Sequence, residues 1–239
     1  MLVNIDAKSL EVHVGAWLSK DSVMYKELLE GLDMHSNNMQ LFGLPSRLIA
    51  KIFMFRLMYG GTEYSYAQDP DFASVSSSPK YWKKVIDAFY SKYKGFADWH
   101  TKIVQEVTLT SKLRIPGTGR EFSFKQYPNR IGGMDWPITQ IKNYPVQGTG
   151  ADLMAIARLQ VAQDWKRAGL TGVRISSVHD SIVADVPDIE VKAACKLMLN
   201  SFEKVPRVFE KAYGIPYDLP FKGECSYGPN LCDMEDFKC

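Results

Sequence analysis

Apolar residues gather at the start of the chain in the run MLVNID, which predicts a short buried strand over residues 1–6 ending at Asp6. A helical pattern follows from about Leu10 to Leu29, with a polar break at Ser19–Asp21. Pro45 and Ser46 open a strongly apolar helix that runs to Tyr59 and is stopped by Gly60–Gly61. Residues 62–78 read as a polar loop, 80–109 as a long helix or helix pair, and 112–126 as a hairpin turning at Pro116–Gly119. The segment QIKNYPVQGTGADLM reads as a loop leading into a helix from about Thr149. The run RISSVHDSIVADV, Arg174 to Val186, is β-branched and apolar around a polar break, so it predicts strand, turn, strand. A helix from about Ile189 to Tyr213 and a strand near 217–225 complete the pattern. Strands bracketing helical inserts predict an α+β body with a helical insertion.

Composition adds few constraints. At 239 residues, 46% hydrophobic and 12% aromatic, the chain can bury a substantial core as one large domain or two small ones. It contains no internal repeat and no run of eighteen apolar residues, so no membrane span is expected. MLVNIDAKSLEV lacks a basic leader before an apolar stretch, so a cytoplasmic rather than secreted protein is expected. Cys195, Cys225, Cys232 and Cys239 form no CxxC pair and have no nearby histidine partners, which points to reduced thiols rather than zinc.

Net charge is only +2, but residues 79–130 hold eleven Lys or Arg against four Asp or Glu. The same segment carries Tyr81, Trp82, Phe89, Tyr90, Tyr93, Phe96 and Trp99. Cations interleaved with rings suit a nucleic-acid surface. An amphipathic helix with a solvated lysine face accounts for the same pattern.

His179, Asp180 and Ser181 are the three residue types of a hydrolase triad, but neighbours on a strand point to opposite faces and cannot pass a proton along a line. What remains is a carboxylate at a hairpin tip. Asp6 likewise ends an apolar strand. Two aspartates on adjacent strands could hold two divalent ions about 4 Å apart, and Mg²⁺ suits few carboxylates completed by phosphate oxygens. On the helix after Ser46, Arg47, Lys51, Phe55 and Tyr59 recur at four-residue intervals, so they drift slowly down one face. Cations near the helix N-terminus suit phosphates, and rings at the other end suit a stacked base.

These residues resemble DNA polymerase family A, the DNA polymerase I class. Its first motif is matched by DAKSLE, Asp6 to Glu11; its second, R-x3-K-x3-F-x3-YG, by Arg47, Lys51, Phe55, Tyr59 and Gly60; its third by His179 and Asp180. The smaller DMH at Asp33–His35, NYPVQGTGAD at Asn143–Asp152 and the final KGECSYGPN fall in the family's order. The resemblance implies a polymerase palm, an antiparallel sheet with helices, over residues 1–40 and 136–239, with a mainly helical fingers insertion over 41–135.

The resemblance also implies roles. Asp6 and Asp180 hold two Mg²⁺ ions, with Mn²⁺ as a substitute, while Arg47 and Lys51 hold the triphosphate. Phe55 and Tyr59 pack against the incoming nucleotide and the templating position. Glu11 lies under the sugar and excludes a 2′-hydroxyl, so deoxynucleotides are selected. Asn143, Gln147 and His179 contact the primer-template, and the basic aromatic stretch contacts template. Two departures stand out: Val12-His13 follows Glu11 where the family has Leu-Arg, and Ser181 stands where it has glutamate. His-Asp-Ser is shared with single-subunit RNA polymerases, which makes that reading the alternative, against which Glu11 and Phe55 argue. A non-catalytic nucleic-acid-binding module is a second alternative, opposed by both aspartates. Motif one begins at residue 6. The expectation is therefore a phage-type split polymerase whose thumb and 3′–5′ exonuclease lie on a second polypeptide, acting in the host cytoplasm on primer-template DNA and dNTP; a cloned fragment would look the same.

Overall fold

The computed structural model describes residues 1–238, and Cys239 lies outside the described residues. The first half of the chain runs β1 (Leu2–Ala7), α1 (Leu10–Ser19), α2 (Ser22–Leu29), α3 (Met34–Phe42), α4 (Arg47–Met58), α5 (Glu63–Ala67), α6 (Pro79–Lys92) and α7 (Lys94–Thr110). Two small hairpins follow, β2 (Lys112–Arg114) with β3 (Glu121–Ser123) and β4 (Tyr127–Pro128) with β5 (Met134–Asp135). The remainder is α8 (Ile138–Ala168), β6 (Val173–Val178), β7 (Ser181–Asp185), α9 (Val191–Glu203), α10 (Val205–Tyr213), β8 (Gly223–Gly228) and β9 (Glu235–Asp236). The chain forms two compact units, Met1–Leu10 with the residues from Thr149 onward, and Glu11–Gly148. Residues 11–40 and 136–148 thus fall in the second, helical unit.

In the first unit, five antiparallel strands are ordered β6-β7-β1-β8-β9. Val3, Ile5 and Ala7 are buried while Leu2, Asn4 and Asp6 are only half-buried, the two-residue period of a strand with one covered face. Helix α9 covers that face through Ala194, Met198 and Phe202. A Cβ at Gly223 would lie 2.6 Å from Ile5 Cδ1 and 3.0 Å from Phe202 Cδ2, so a glycine is needed where β8, β1 and α9 converge. Asp164 on α8 ties to α9 through Ser201 Oγ and to Lys204 Nζ, each at 2.8 Å. β6 is one of the two edge strands, and its Val173, Ile175 and Val178 are exposed.

The helical unit packs around Phe53, Tyr66, Phe72, Trp82, Phe89, Tyr93 and Phe96, all fully buried. Of the two readings of residues 79–130, four rings follow the amphipathic one: Trp82, Phe89, Tyr93 and Phe96 fill the core, Tyr81, Tyr90 and Trp99 are half-buried, and Lys80, Lys83, Lys84 and Lys94 face solvent. Trp82, Val85 and Phe89 share the buried face of α6, and Phe96 opens the buried face of α7; burial of those faces outweighs any use in stacking. The expected loop over 62–78 is instead α5 and a 3-10 turn at Pro70–Phe72, because Tyr66 and Phe72 anchor it to Phe53 and Trp82.

Helix α8 begins eleven residues before the expected Thr149, at Ile138, and continues through Pro145. Proline lacks the N–H that an interior turn requires. Tertiary contacts outweigh that loss: Ile141 joins Ile103, Val107, Leu113 and Phe124 in one buried cluster, and the Tyr144 ring lies 5.6 Å from Phe122 and 5.8 Å from Phe124. The last expected strand is displaced to Gly223–Gly228, while Tyr217, Leu219 and Phe221 bury their side chains without joining the sheet.

Candidate active site

The sheet unit brings its two predicted carboxylates to one end. Asp6 is the penultimate residue of β1 and pairs in register with Ser181 on β7 and Glu224 on β8. Residues directly opposite on antiparallel strands share a face, so Asp6, Ser181 and Glu224 lie on the side away from α9. Asp180 precedes Ser181 in the two-residue loop between β6 and β7, and its carbonyl accepts from Ala7 N at 2.9 Å. His179, the other loop residue, is exposed and has φ 51°, the left-handed conformation that tight hairpins require. Ser181 Oγ donates to the Val178 carbonyl at 2.9 Å and closes the turn. The hydroxyl found where the resembled motif has glutamate therefore staples the hairpin. Glu224 pairs with Lys8 Nζ at 2.8 Å.

No group of three or more His, Cys, Asp or Glu that could hold a metal ion occurs among the described residues. Two half-buried carboxylates are hard oxygen donors, and they fit an ion whose coordination is completed by water and phosphate. They do not fit a closed structural zinc site, which takes four protein ligands.

The helical unit presents the predicted stripe on α4. Ser46 caps the helix by accepting from Ile49 N at 3.2 Å, and Gly60, at φ 85°, follows its end. Ala50, Phe53, Met54, Leu57 and Met58 face the core. Arg47 and Lys51 are left exposed, and Phe55 and Tyr59 half-buried, on the remaining face. Lys51 Nζ lies 5.7 Å from the Phe55 ring centroid. Gln147 Nε2 donates to the Tyr59 hydroxyl at 2.8 Å. Asn143 is one turn earlier on α8, and its Oδ1 is buried without a hydrogen bond inside the protein. Glu11 sits half-buried in the first turn of α1.

Two further residues join this cluster. Arg47 Nε donates to Asp33 Oδ2 at 2.7 Å, and that bond, with hydrogen bonds from Ser36, holds the Asp33 carboxyl well below the usual range. The His35 ring lies 6.0 Å from that of Phe55. Burial, and the nearby Arg47 and Lys51 charges, lower its pKa to about 4 although Asp33 acts the other way, so the imidazole is neutral at pH 7. Sequence reading noticed Asp33 and His35 only as the DMH run. An aspartate immediately before a helix with Ser36 three residues on signals an N-cap, not a partner fourteen residues away.

The sequence profile of DNA polymerase family A matches residues 1–233. The chain belongs to that family. Among curated relatives, this family A chain is 25% identical to the DNA polymerase I of Geobacillus stearothermophilus over 247 residues, covering 96% of the chain and 26% of the relative. It is 24% identical to the DNA polymerase I of Aquifex aeolicus, covering 86% of the chain and 36% of the relative. The chain therefore spans between a quarter and two fifths of the relatives compared. Its fold matches the polymerase domain of Pol1 from M. smegmatis, solved with DNA primer-template and dNTP, at a TM-score of 0.72 and 20% identity over 95% of this chain and 39% of that one. The family A assignment agrees with the motif resemblance, and the fold match agrees with an antiparallel sheet bearing a helical insertion. No helix among the described residues is long and apolar enough to cross a membrane.

Proposed function

We propose that this chain is the palm and fingers portion of a template-directed DNA polymerase, adding deoxynucleotides to a primer 3′-hydroxyl. The observation that carries the reading is the α4 face: two exposed cations in the first turns and two half-buried rings in the last, beside a core that Ala50, Phe53, Met54, Leu57 and Met58 fill.

Each unit contributes its own chemistry. Arg47 and Lys51 draw in the triphosphate, with the orphan N–H groups of the helix start favouring the same charge. Phe55 and Tyr59 pack against the base and the templating position, and Gln147 steadies Tyr59. Glu11 fills the space that a ribose 2′-hydroxyl would need. Asn143, Gln147 and His179 contact the primer-template, where minor-groove acceptors are common to all base pairs. Asp6 and Asp180 would hold Mg²⁺, or Mn²⁺ in its place. Two such ions, when bound, supply activation of the 3′-hydroxyl and charge neutralisation at the leaving pyrophosphate. Palm function is assigned to residues 1–40 and 136–239 and fingers function to 41–135. The M. smegmatis domain binds primer-template and dNTP, and the same ligands are proposed here.

The test is Mg²⁺-dependent incorporation of labelled dNTP or rNTP onto a primed DNA template at low salt, with Asp180→Ala alongside. Incorporation of dNTP that the variant abolishes supports the reading. Incorporation of rNTP in its place removes the sugar-gate role of Glu11 and favours the RNA polymerase alternative that Ser181 raises. Template binding without incorporation, alone or with a thumb-bearing partner, favours a non-catalytic module.

A further inference from the structure

We propose that Asp33 is a positioning residue for Arg47, holding its guanidinium where the phosphates of an incoming deoxynucleoside triphosphate are received; this rests on the reading of α4 as the triphosphate-binding helix. Arg47 is an exposed side chain at the first residue of α4, and a side chain of that length explores many rotamers unless something restrains it. Asp33 supplies the restraint through the 2.7 Å contact from Arg47 Nε to its Oδ2.

The anchor is itself fixed. Asp33 caps α3, its Oδ1 accepting from His35 N at 3.1 Å and Ser36 N at 3.3 Å, and its Oδ2 also accepts from Ser36 Oγ at 2.7 Å. A carboxylate tied to a helix start cannot follow a mobile arginine, so the arginine must come to it. The contact engages Nε, one of five donors in a planar fork suited to bidentate anion recognition. An ion pair this exposed adds little to stability, so fold maintenance does not account for it.

Positioning and simple electrostatics predict opposite signs. A carboxylate beside the cationic end of α4 repels a polyanion, so charge alone says that its removal tightens triphosphate binding. If Asp33 positions Arg47, removal weakens it.

The experiment is equilibrium titration of the 239-residue chain with dATP and Mg²⁺, for wild type, Asp33→Asn, Arg47→Ala and the double variant, with thermal melting of each. Asparagine keeps the helix cap while removing the charge, so the fold should be unaffected. The expected result is a Kd raised roughly tenfold in Asp33→Asn with unchanged melting, and no further loss when Asp33→Asn is added to Arg47→Ala. An unchanged or tighter Kd in Asp33→Asn overturns the proposal but leaves the triphosphate reading standing if Arg47→Ala still weakens binding. The same loss in the Arg47→Ala background also overturns it, because Asp33 would then act elsewhere. Failure of the wild type to bind dATP sinks the triphosphate reading and this proposal together.

Discussion

Gln147 on α8 donates to the Tyr59 hydroxyl at the end of α4 at 2.8 Å, joining two residues 88 positions apart. The bond links the ring end of the α4 stripe to the helix carrying Asn143. A double-mutant cycle of Tyr59→Phe and Gln147→Ala should give a coupling of about 0.5–1.5 kcal/mol in unfolding free energy, the net value of one hydrogen bond. Zero coupling would show that the contact carries no energy in solution. Tyr59→Phe keeps the ring, so dNTP affinity should change by no more than about twofold; Tyr59→Ala, which removes it, should cost more.

Asp6→Asn and Asp180→Asn preserve shape and remove charge. Each should lower Mg²⁺-dependent nucleotide incorporation by roughly a thousandfold or more, with little change in melting, because neither side chain is part of the buried core. Chelation of divalent ions should abolish the activity, and Mn²⁺ should restore it. Retention of activity in either variant would remove that aspartate from the chemistry. Primer-extension rates measured beside circular dichroism separate catalysis from folding.

The carboxyl of Asp164 loses solvation on burial, but hydrogen bonds from Gln160, Lys204 and Ser201 outweigh that and bring its pKa down to about 2, from 3.8 when unperturbed. A lowered carboxylate pKa gives stability that is full above the unfolded value and is lost as pH falls through the folded one. The gap in urea stability between wild type and Asp164→Asn should therefore narrow by about 2 kcal/mol as pH drops from about 5 to about 2. A gap independent of pH would mean that the charge contributes nothing.

Gly95 in the first turn of α7 faces Asp21, the N-cap of α2. Asp21 accepts from Val23 N at 3.0 Å and Met24 N at 2.9 Å, and across to Phe96 N at 3.2 Å. A Cβ at position 95 would lie 2.9 Å from the Asp21 Cα, a backbone atom that cannot swing aside. Helix propensity alone favours Gly95→Ala by about 1 kcal/mol, yet the clash should reverse the sign and destabilise by roughly 1–3 kcal/mol. A rise in the denaturation midpoint would show that the two helices separate at little cost.

Much of the candidate site was legible because its signals are local. Arg47, Lys51, Phe55 and Tyr59 recur at the repeat of a helix whose other positions are apolar, so their shared face follows from helical geometry. Asp6 and Asp180 stand out as carboxylates inside β-branched runs. The aromatic stretch was not legible in the same way. Rings among lysines look alike whether the rings stack on bases or fill a core, and only the partners Phe53, Tyr66 and Phe72 show that Trp82 and Phe89 are interior. The early start of α8 was hidden because Pro145 argues locally against a helix, and the contacts that hold it come from α7 and the β2–β3 hairpin.

By itself the sequence determined the elements that carry the candidate residues, the face of α4 that Arg47, Lys51, Phe55 and Tyr59 share, and the family to which the motifs belong. Each of these depends on residues within a few turns or strand positions of one another. Tertiary structure alone decided that Asp6 lies opposite Ser181 and Glu224, that Ser181 closes the hairpin, that Gln147 meets Tyr59, and that Asp33 holds Arg47. Those relationships depend on strand register and on which apolar surfaces bury one another, and neither is encoded in the spacing of a single segment.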